Sequence, residues 1–272
     1  YDPVNSAKLL FDTGVFMAHR VEERTDILPY LDEGRCVAFA ESDSGTLTAW
    51  KYQGNQLRIR QSGLPAGVIS TDSLRCPQPA GEVLQAIVPL VMHEKPSRIL
   101  FLGIRSGAVL QTSVYFPLQT ITCVDGDPGR VRFIAREVLA KTRPNPLNDA
   151  RVTVTSCDPL LALKSQSGSQ DVVVCGFEQP ATLESSPTLT REFLAAAADS
   201  LAENGIYCQP IDYVDAGAEA ITAIARTWQS VFVHVGTVEI SPGRLLFLGS
   251  NSKRGLFREG LVNRLRRSNV RL

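Results

Sequence analysis

Apolar and polar positions alternate along this chain in two different rhythms, and the change of rhythm divides it. From Cys36 to Gln61 the apolar positions come in short runs: Cys36–Ala40, Thr46–Tyr52 and Gln56–Arg60. Turn residues Ser44-Gly45 and Gly54-Asn55 separate them, a pattern that predicts three short antiparallel strands. Ser62 to Pro79 is rich in Gly, Pro and Ser and reads as a linker. Beyond it the period lengthens. Leu84, Ile87, Val88 and Val91 share one helical face between Glu82 and Met92. Ile99–Leu102 is then an unbroken apolar run between Pro96 and Gly103, as expected of a parallel strand covered on both faces.

The same alternation continues to about Ser250. Strands are predicted at Ile121–Val124, Arg151–Thr155, Asp171–Cys175 and Ile206–Gln209, with helices at Arg130–Ala140 and Arg191–Ala202. Asn204-Gly205 reads as the stop signal of the second of these helices. Asp215 is expected to cap a helix carrying Ala220, Ile221, Ile224, Ala225 and Trp228. Ser230–Val235 and Leu245–Leu248 are expected to close the sheet as an antiparallel pair. The fold class is α/β, a doubly wound Rossmann-like sheet preceded by a small antiparallel β-domain. The expected organisation is an N-terminal extension (1–35), the β-domain (36–78), the Rossmann-like domain (79–251) and a basic tail (252–272).

Composition narrows the function classes. Lys+Arg and Asp+Glu balance at 28 each, which gives no support for nucleic-acid binding. No apolar run reaches the roughly 18 residues that span a bilayer. The six cysteines form no Cys-x-x-Cys pair and lie mostly in apolar runs, as buried free thiols do. His19, His93 and His234 are scattered, so no metal site is expected. The tail is the exception to the charge balance. It carries seven basic residues between Lys253 and Arg271 against Glu259, with Phe257, Leu261 and Leu265 at helical spacing, a pattern read either as a solvated or disordered terminus or as a short amphipathic helix suited to an anionic membrane surface.

The chemistry concentrates after Ile99–Leu102. Gly103 and Gly107 permit a tight turn into a helix, and Asp125 ends the next strand about 20 residues later. A carboxylate at that place can accept hydrogen bonds from both hydroxyls of a ribose. An ordinary βαβ unit with turn glycines would show the same residues.

Arg98–Gly103, Asp125, Asp149–Val154 leading to Asp158, Asp171–Val174 and Ser241–Ser250 together resemble the spermidine synthase (polyamine aminopropyltransferase) family. The resemblance covers roughly residues 36–250. It implies that Asp125 binds ribose, that Asp158 reads the adenine amino group, and that Gly103, Ser106 and Gly107 form the glycine loop. Ser106 stands where the family has an acid, and Ile104 and Arg105 where it has glycines, which implies a narrower, more positive mouth. In the catalytic segment Gly176 and Gln179 stand where the family carries two acids. Glu178 is the one nearby carboxylate in sequence, read as either a substitute base or a solvated loop residue. The Tyr, His and Gln residues that hold the polyamine are replaced around Pro79, Ala80 and Gly81. Thr190–Leu194 and Asn145–Asp149 resemble a bacterial branch in which this unit follows transmembrane helices. That likeness implies the cytoplasmic, soluble part of a longer membrane protein.

The expected ligands are S-adenosylmethionine, its decarboxylated form or methylthioadenosine, with a polyamine as acceptor, and the family likeness implies a homodimer. Two readings follow: a transferase with a degenerate polyamine site, or a catalytically inactive sensor or interaction module.

Overall fold

The computed structural model describes residues 34–52, 54–72, 78–180, 182–213 and 216–256. The N-terminal extension up to residue 33, Asp215 and the tail from residue 257 lie outside the described residues. Among the described residues, no helix is long and apolar enough to cross a membrane. The chain forms two compact units. Of the described residues, the smaller gathers those up to Pro79 with 105–108 and 127–145, and the larger holds the others.

The smaller unit contains a sheet ordered β1 (Arg35–Ser42), β2 (Gly45–Lys51), β3 (Gln56–Gln61) and β4 (Leu64–Ser70), all antiparallel. β4 corrects the reading of residues 62–79 as a linker. Ser62 and Gly63 both take positive φ, 49° and 80°, which makes a two-residue hairpin turn. Pro65 and Gly67 disguise the strand in sequence. Pro65 is tolerated because β4 is an edge, and it sits at a register shift opposite Ile59/Arg60.

A helix α3 (Pro128–Phe133) belongs to this unit and packs on β1. It continues as a π turn (Ile134–Val138) and a 3-10 turn (Leu139–Lys141) rather than as the uniform helix expected over 130–140. Asp127 caps it, accepting from Gly129 N (2.8 Å) and Arg130 N (3.1 Å) while also taking the N–H and hydroxyl of Ser44. Burial raises this carboxyl, but hydrogen bonds from Ser44, Ser42 and the Arg130 and Ser44 N–H groups outweigh it and lower the pKa to about 2. A lowered pKa stabilises the fold above the unfolded value of 3.8, and this is lost as pH falls toward 2. Asp127→Asn should therefore cost about 2 kcal/mol near neutral pH, with the difference from the parent shrinking as acid is added. Urea unfolding followed across that range checks it. A pH-independent difference would contradict the assignment.

The larger unit is built on a seven-stranded sheet ordered β10-β11-β9-β8-β5-β6-β7. Its strands are β5 (Arg98–Leu102), β6 (Thr120–Asp125), β7 (Val152–Ser156), β8 (Gln170–Cys175), β9 (Leu201–Asp212), β10 (His234–Ser241) and β11 (Arg244–Ser250). β5 to β9 pair in parallel, and β10 and β11 add an antiparallel edge. The central strands β5 and β8 are buried on both faces, as their unbroken apolar runs require.

The helices of this unit are α1 (Ala80–Met92), α2 (Ala108–Ser113, its first residue grouped with the smaller unit), α4 (Pro159–Ser165), α5 (Arg191–Ser200) and α6 (Ala218–Gln229). Pro89 inside α1 cannot donate to the Gln85 carbonyl, and the Cys208 thiol donates to that carbonyl instead, at 3.8 Å. Tyr207, Trp228, Phe232 and Phe247 form one aromatic cluster with ring centroids 5.1–5.8 Å apart.

Two expectations fail here, and one helix is new. Asn204-Gly205 does not stop a helix: α5 ends when Leu201 becomes extended, and both residues lie inside β9. Ser230–Val235 is not a strand. Phe232 packs against Gly249, and the strand starts only at His234. α4 was not anticipated, and Asp158 with Pro159 begins it.

Candidate functional site

In a sheet wound both ways from one strand, the carboxyl ends diverge at the point where the order reverses, and that crevice is where ligands bind. Here the chain leaves β5 for β6 and β7 on one side and returns through β8 and β9 on the other. The loops after β5 and β8 therefore flank the switch point. Gly103 N donates to Val124 O (2.7 Å), Gly176 N to Leu102 O (2.8 Å) and Cys157 N to Asp125 O (3.1 Å), so the tips of the four strands β8, β5, β6 and β7 stay level.

Of the residues singled out in sequence, Gly103, Asp125, Asp158 and Glu178 belong to the larger unit, and Ser106 and Gly107 to the smaller. Asp125 ends β6 and is fully buried (0 % exposed), with Oδ2 accepting from Ile104 N at 2.9 Å. Ile104 is itself buried. Gly103 takes φ +91°, and a Cβ there would stand 3.1 Å from the Phe177 ring. Phe177, the residue after Gly176, thus lies against the glycine turn. Asp158 is exposed at the tip beyond β7, where Oδ1 caps α4 by accepting from Leu161 N (3.0 Å). In the smaller unit Ser106 is buried, accepting from Ala108 N and donating to Val68 O (3.5 Å). Its hydroxyl is used to shape the turn.

Glu178 is not a solvated loop residue. It is 3 % exposed, and its Oε2 lies 3.2 Å from Arg244 Nη2. Arg244 Nη1 reaches Glu82 Oε1 at 3.4 Å. Burial works against the Arg244 charge, yet Glu178, Glu82 and Asp212 outweigh it and raise its pKa above the ordinary value. The segment is tied down further by β9. Asp212 N donates to Glu178 O (2.9 Å), Gln179 Nε2 to Asp212 Oδ2 (2.8 Å) and Gln209 Nε2 to Phe177 O (2.9 Å). Glu82, Asp212, Gln209 and Arg244 were not anticipated. Arg244 lies in the Ser241–Ser250 motif, but no local pattern pairs it with Glu178.

The Spermine/spermidine synthase domain family matches residues 82–244. Polyamine aminopropyltransferase 2 of Bacillus cereus is 34% identical over 138 residues, 48% of this chain and 37% of that protein. Polyamine aminopropyltransferase of Bacillus subtilis is 28% identical over 148 residues, 54% of this chain and 52% of its own length. The chain thus spans between 37% and 52% of these relatives. Among solved structures, a spermidine synthase in complex with the transition state analogue AdoDATO overlays with a TM-score of 0.73 at 18% identity, over 88% of this chain and 80% of that one. Human methyltransferase-like protein 13 in complex with SAH gives 0.53 at 17% identity, over 69% and 88%. At such identities these overlays establish the fold. With the family match extending over most of the α/β sheet, the chain belongs to the spermine/spermidine synthase domain family.

Proposed function

We propose that this domain binds an adenosyl nucleoside in the crevice beyond β5, β6 and β7 but does not transfer aminopropyl groups to putrescine at a robust rate. The nucleoside is S-adenosylmethionine, its decarboxylated form or methylthioadenosine. Two carboxylates support the reading at the ribose and adenine ends. Asp125 and Asp158 stand at the tips of neighbouring strands, one beside the Ile104 N–H and the other exposed. For a ribose to reach Asp125, the side chains that cover it must part. The sulfonium, when bound, supplies an activated electrophilic carbon. All else falls to the chain.

Aminopropyl transfer needs a neutral amine. Its lone pair forms the new C–N bond as the C–S bond breaks, the thioether leaves with the bonding electrons, and the proton of the new ammonium must go to a base. Gly176 stands where the family resemblance places the acid that serves this end. The observation that carries the reading is the pairing of Glu178 with Arg244. A carboxylate that accepts from a tethered guanidinium at 3.2 Å is committed to that partner and cannot follow an amine. Gln179, at the second acidic position, is bound to Asp212.

Calorimetry with the three nucleosides, alongside a putrescine turnover assay, tests the proposal. Binding of at least one nucleoside without turnover is expected. Rapid aminopropyl transfer, lost in Glu178→Gln and kept in Asp125→Asn, would overturn it. Absence of binding at millimolar nucleoside would remove the roles of Asp125 and Asp158 together.

A further inference from the structure

Arg244 opens β11 and pairs across the ladder with Asp212, the last residue of β9. Its side chain is 18 % exposed, and the guanidinium lies between two nearly buried carboxylates, Glu82 of α1 and Glu178 of the loop after β8. Gly81 adjoins the same place, since a Cβ there would stand 3.1 Å from Ser241 Oγ and 3.8 Å from Arg244 Nη1. Phe177, next to Glu178, lies on Gly103, so the cluster borders the glycine turn of the crevice. Two segments distant in sequence thus bring carboxylates to one tethered cation beside the switch point.

Stability is a weak account of this arrangement. Desolvating carboxylates and a guanidinium can cost as much as their attraction returns, and an apolar group of similar volume often serves as well. The arrangement does resemble what a cationic acceptor would need: carboxylates that receive charge-assisted hydrogen bonds from a protonated nitrogen, away from water. Arg244 supplies that nitrogen from within the chain.

We propose that Arg244 is the specificity-determining residue of this edge: its guanidinium occupies the cation position between Glu82 and Glu178 and excludes an alkyl diamine from it. The inference rests on the nucleoside-crevice reading, because an acceptor must lie beside that crevice. It adds that Glu82 and Glu178 retain the capacity to bind an amine, and that one side chain blocks it.

The test is putrescine binding by calorimetry to the parent chain, Arg244→Ala and Arg244→Gln, with methylthioadenosine titrated into the same samples. Either folded variant should bind putrescine about tenfold or more tightly than the parent does, the worth of one charge-assisted hydrogen bond. The gain should disappear in Arg244→Ala/Glu178→Gln. Folded variants that bind putrescine no better than the parent overturn the proposal, as does a gain that survives in the double variant. Should neither single variant fold alone, recovery of the fold on refolding with millimolar putrescine supports it, and failure to recover overturns it. Methylthioadenosine binding without a gain for putrescine defeats only the role of Arg244. Putrescine turnover by the parent chain defeats the functional reading itself.

Discussion

Asp125→Ala is expected to weaken nucleoside binding by about a hundredfold or more, and Asp125→Asn to do nearly as much with far less effect on the fold. The reasoning separates two uses of one carboxylate. In the fold, Oδ2 accepts the buried Ile104 N–H at 2.9 Å. Alanine orphans that donor, at a cost of about 1–3 kcal/mol. Asparagine still offers one carbonyl oxygen to Ile104 N, so its stability should stay within about 1 kcal/mol of the parent. Holding both ribose hydroxyls, the role proposed for Asp125, asks more. It needs the negative charge and both oxygens, and each charge-assisted hydrogen bond is worth about 1.5–3 kcal/mol. Methylthioadenosine calorimetry and thermal unfolding of both variants read the two uses apart. If Asp125→Asn binds the nucleoside as the parent does, the carboxylate serves the loop and not the ligand.

That separation also marks how far the sequence could be read. The places of Gly103 and Asp125 in the fold were legible because their signals are local: Gly103 follows and Asp125 ends an apolar run that reads as a buried strand, and the interval between them fits one crossover. The parallel core was legible for the same reason. What escaped depended on residues far apart. Glu178 sits in a polar loop and reads as solvated until Arg244, near the other end of the domain, is folded against it. Glu82 had only the look of an acid in the first turn of a helix, and Asp212 and Gln209 had no pattern at all. Local signals were misread where two of them conflicted. Ser62-Gly63 is a hairpin signal, but Pro65 and Gly67 argued against a strand, and only an edge position reconciles them. Asp158-Pro159 is a helix start, but the short α4 offers too few periodic positions to register beside the strand before it. In Ser230–Val235 it is Phe232 that serves packing: its ring fills the space left by Gly249 while Val233 is exposed, so the hydrophobic run and the strand do not coincide.

Gly107→Val should be the most damaging single change in the glycine loop, costing about 2–5 kcal/mol, with Gly107→Ala near the lower end. Gly107 takes φ +80°, and leaving glycine there costs about 1–2 kcal/mol for any side chain. Space adds a second cost. A Cβ would stand 2.5 Å from Leu139 Cδ2 and 3.1 Å from its Cγ, and Leu139 is fully buried. Overpacking of this kind adds about 1–3 kcal/mol. Leu139 cannot retreat easily, because the π turn before it and the Thr142 hydroxyl on its carbonyl (2.7 Å) fix the chain on both sides. The two costs can be told apart with Leu139→Ala. Removing that side chain relieves the clash but leaves the backbone strain, so Gly107→Ala and Leu139→Ala together should cost less than the sum of the two alone. Strict additivity in chemical denaturation would mean that Gly107 is required for its backbone only. Sub-additivity would show that the irregular turn through Leu139 and the glycine are matched to each other, so that the loop requires Gly107 even though Ile104 and Arg105 ahead of it carry large side chains.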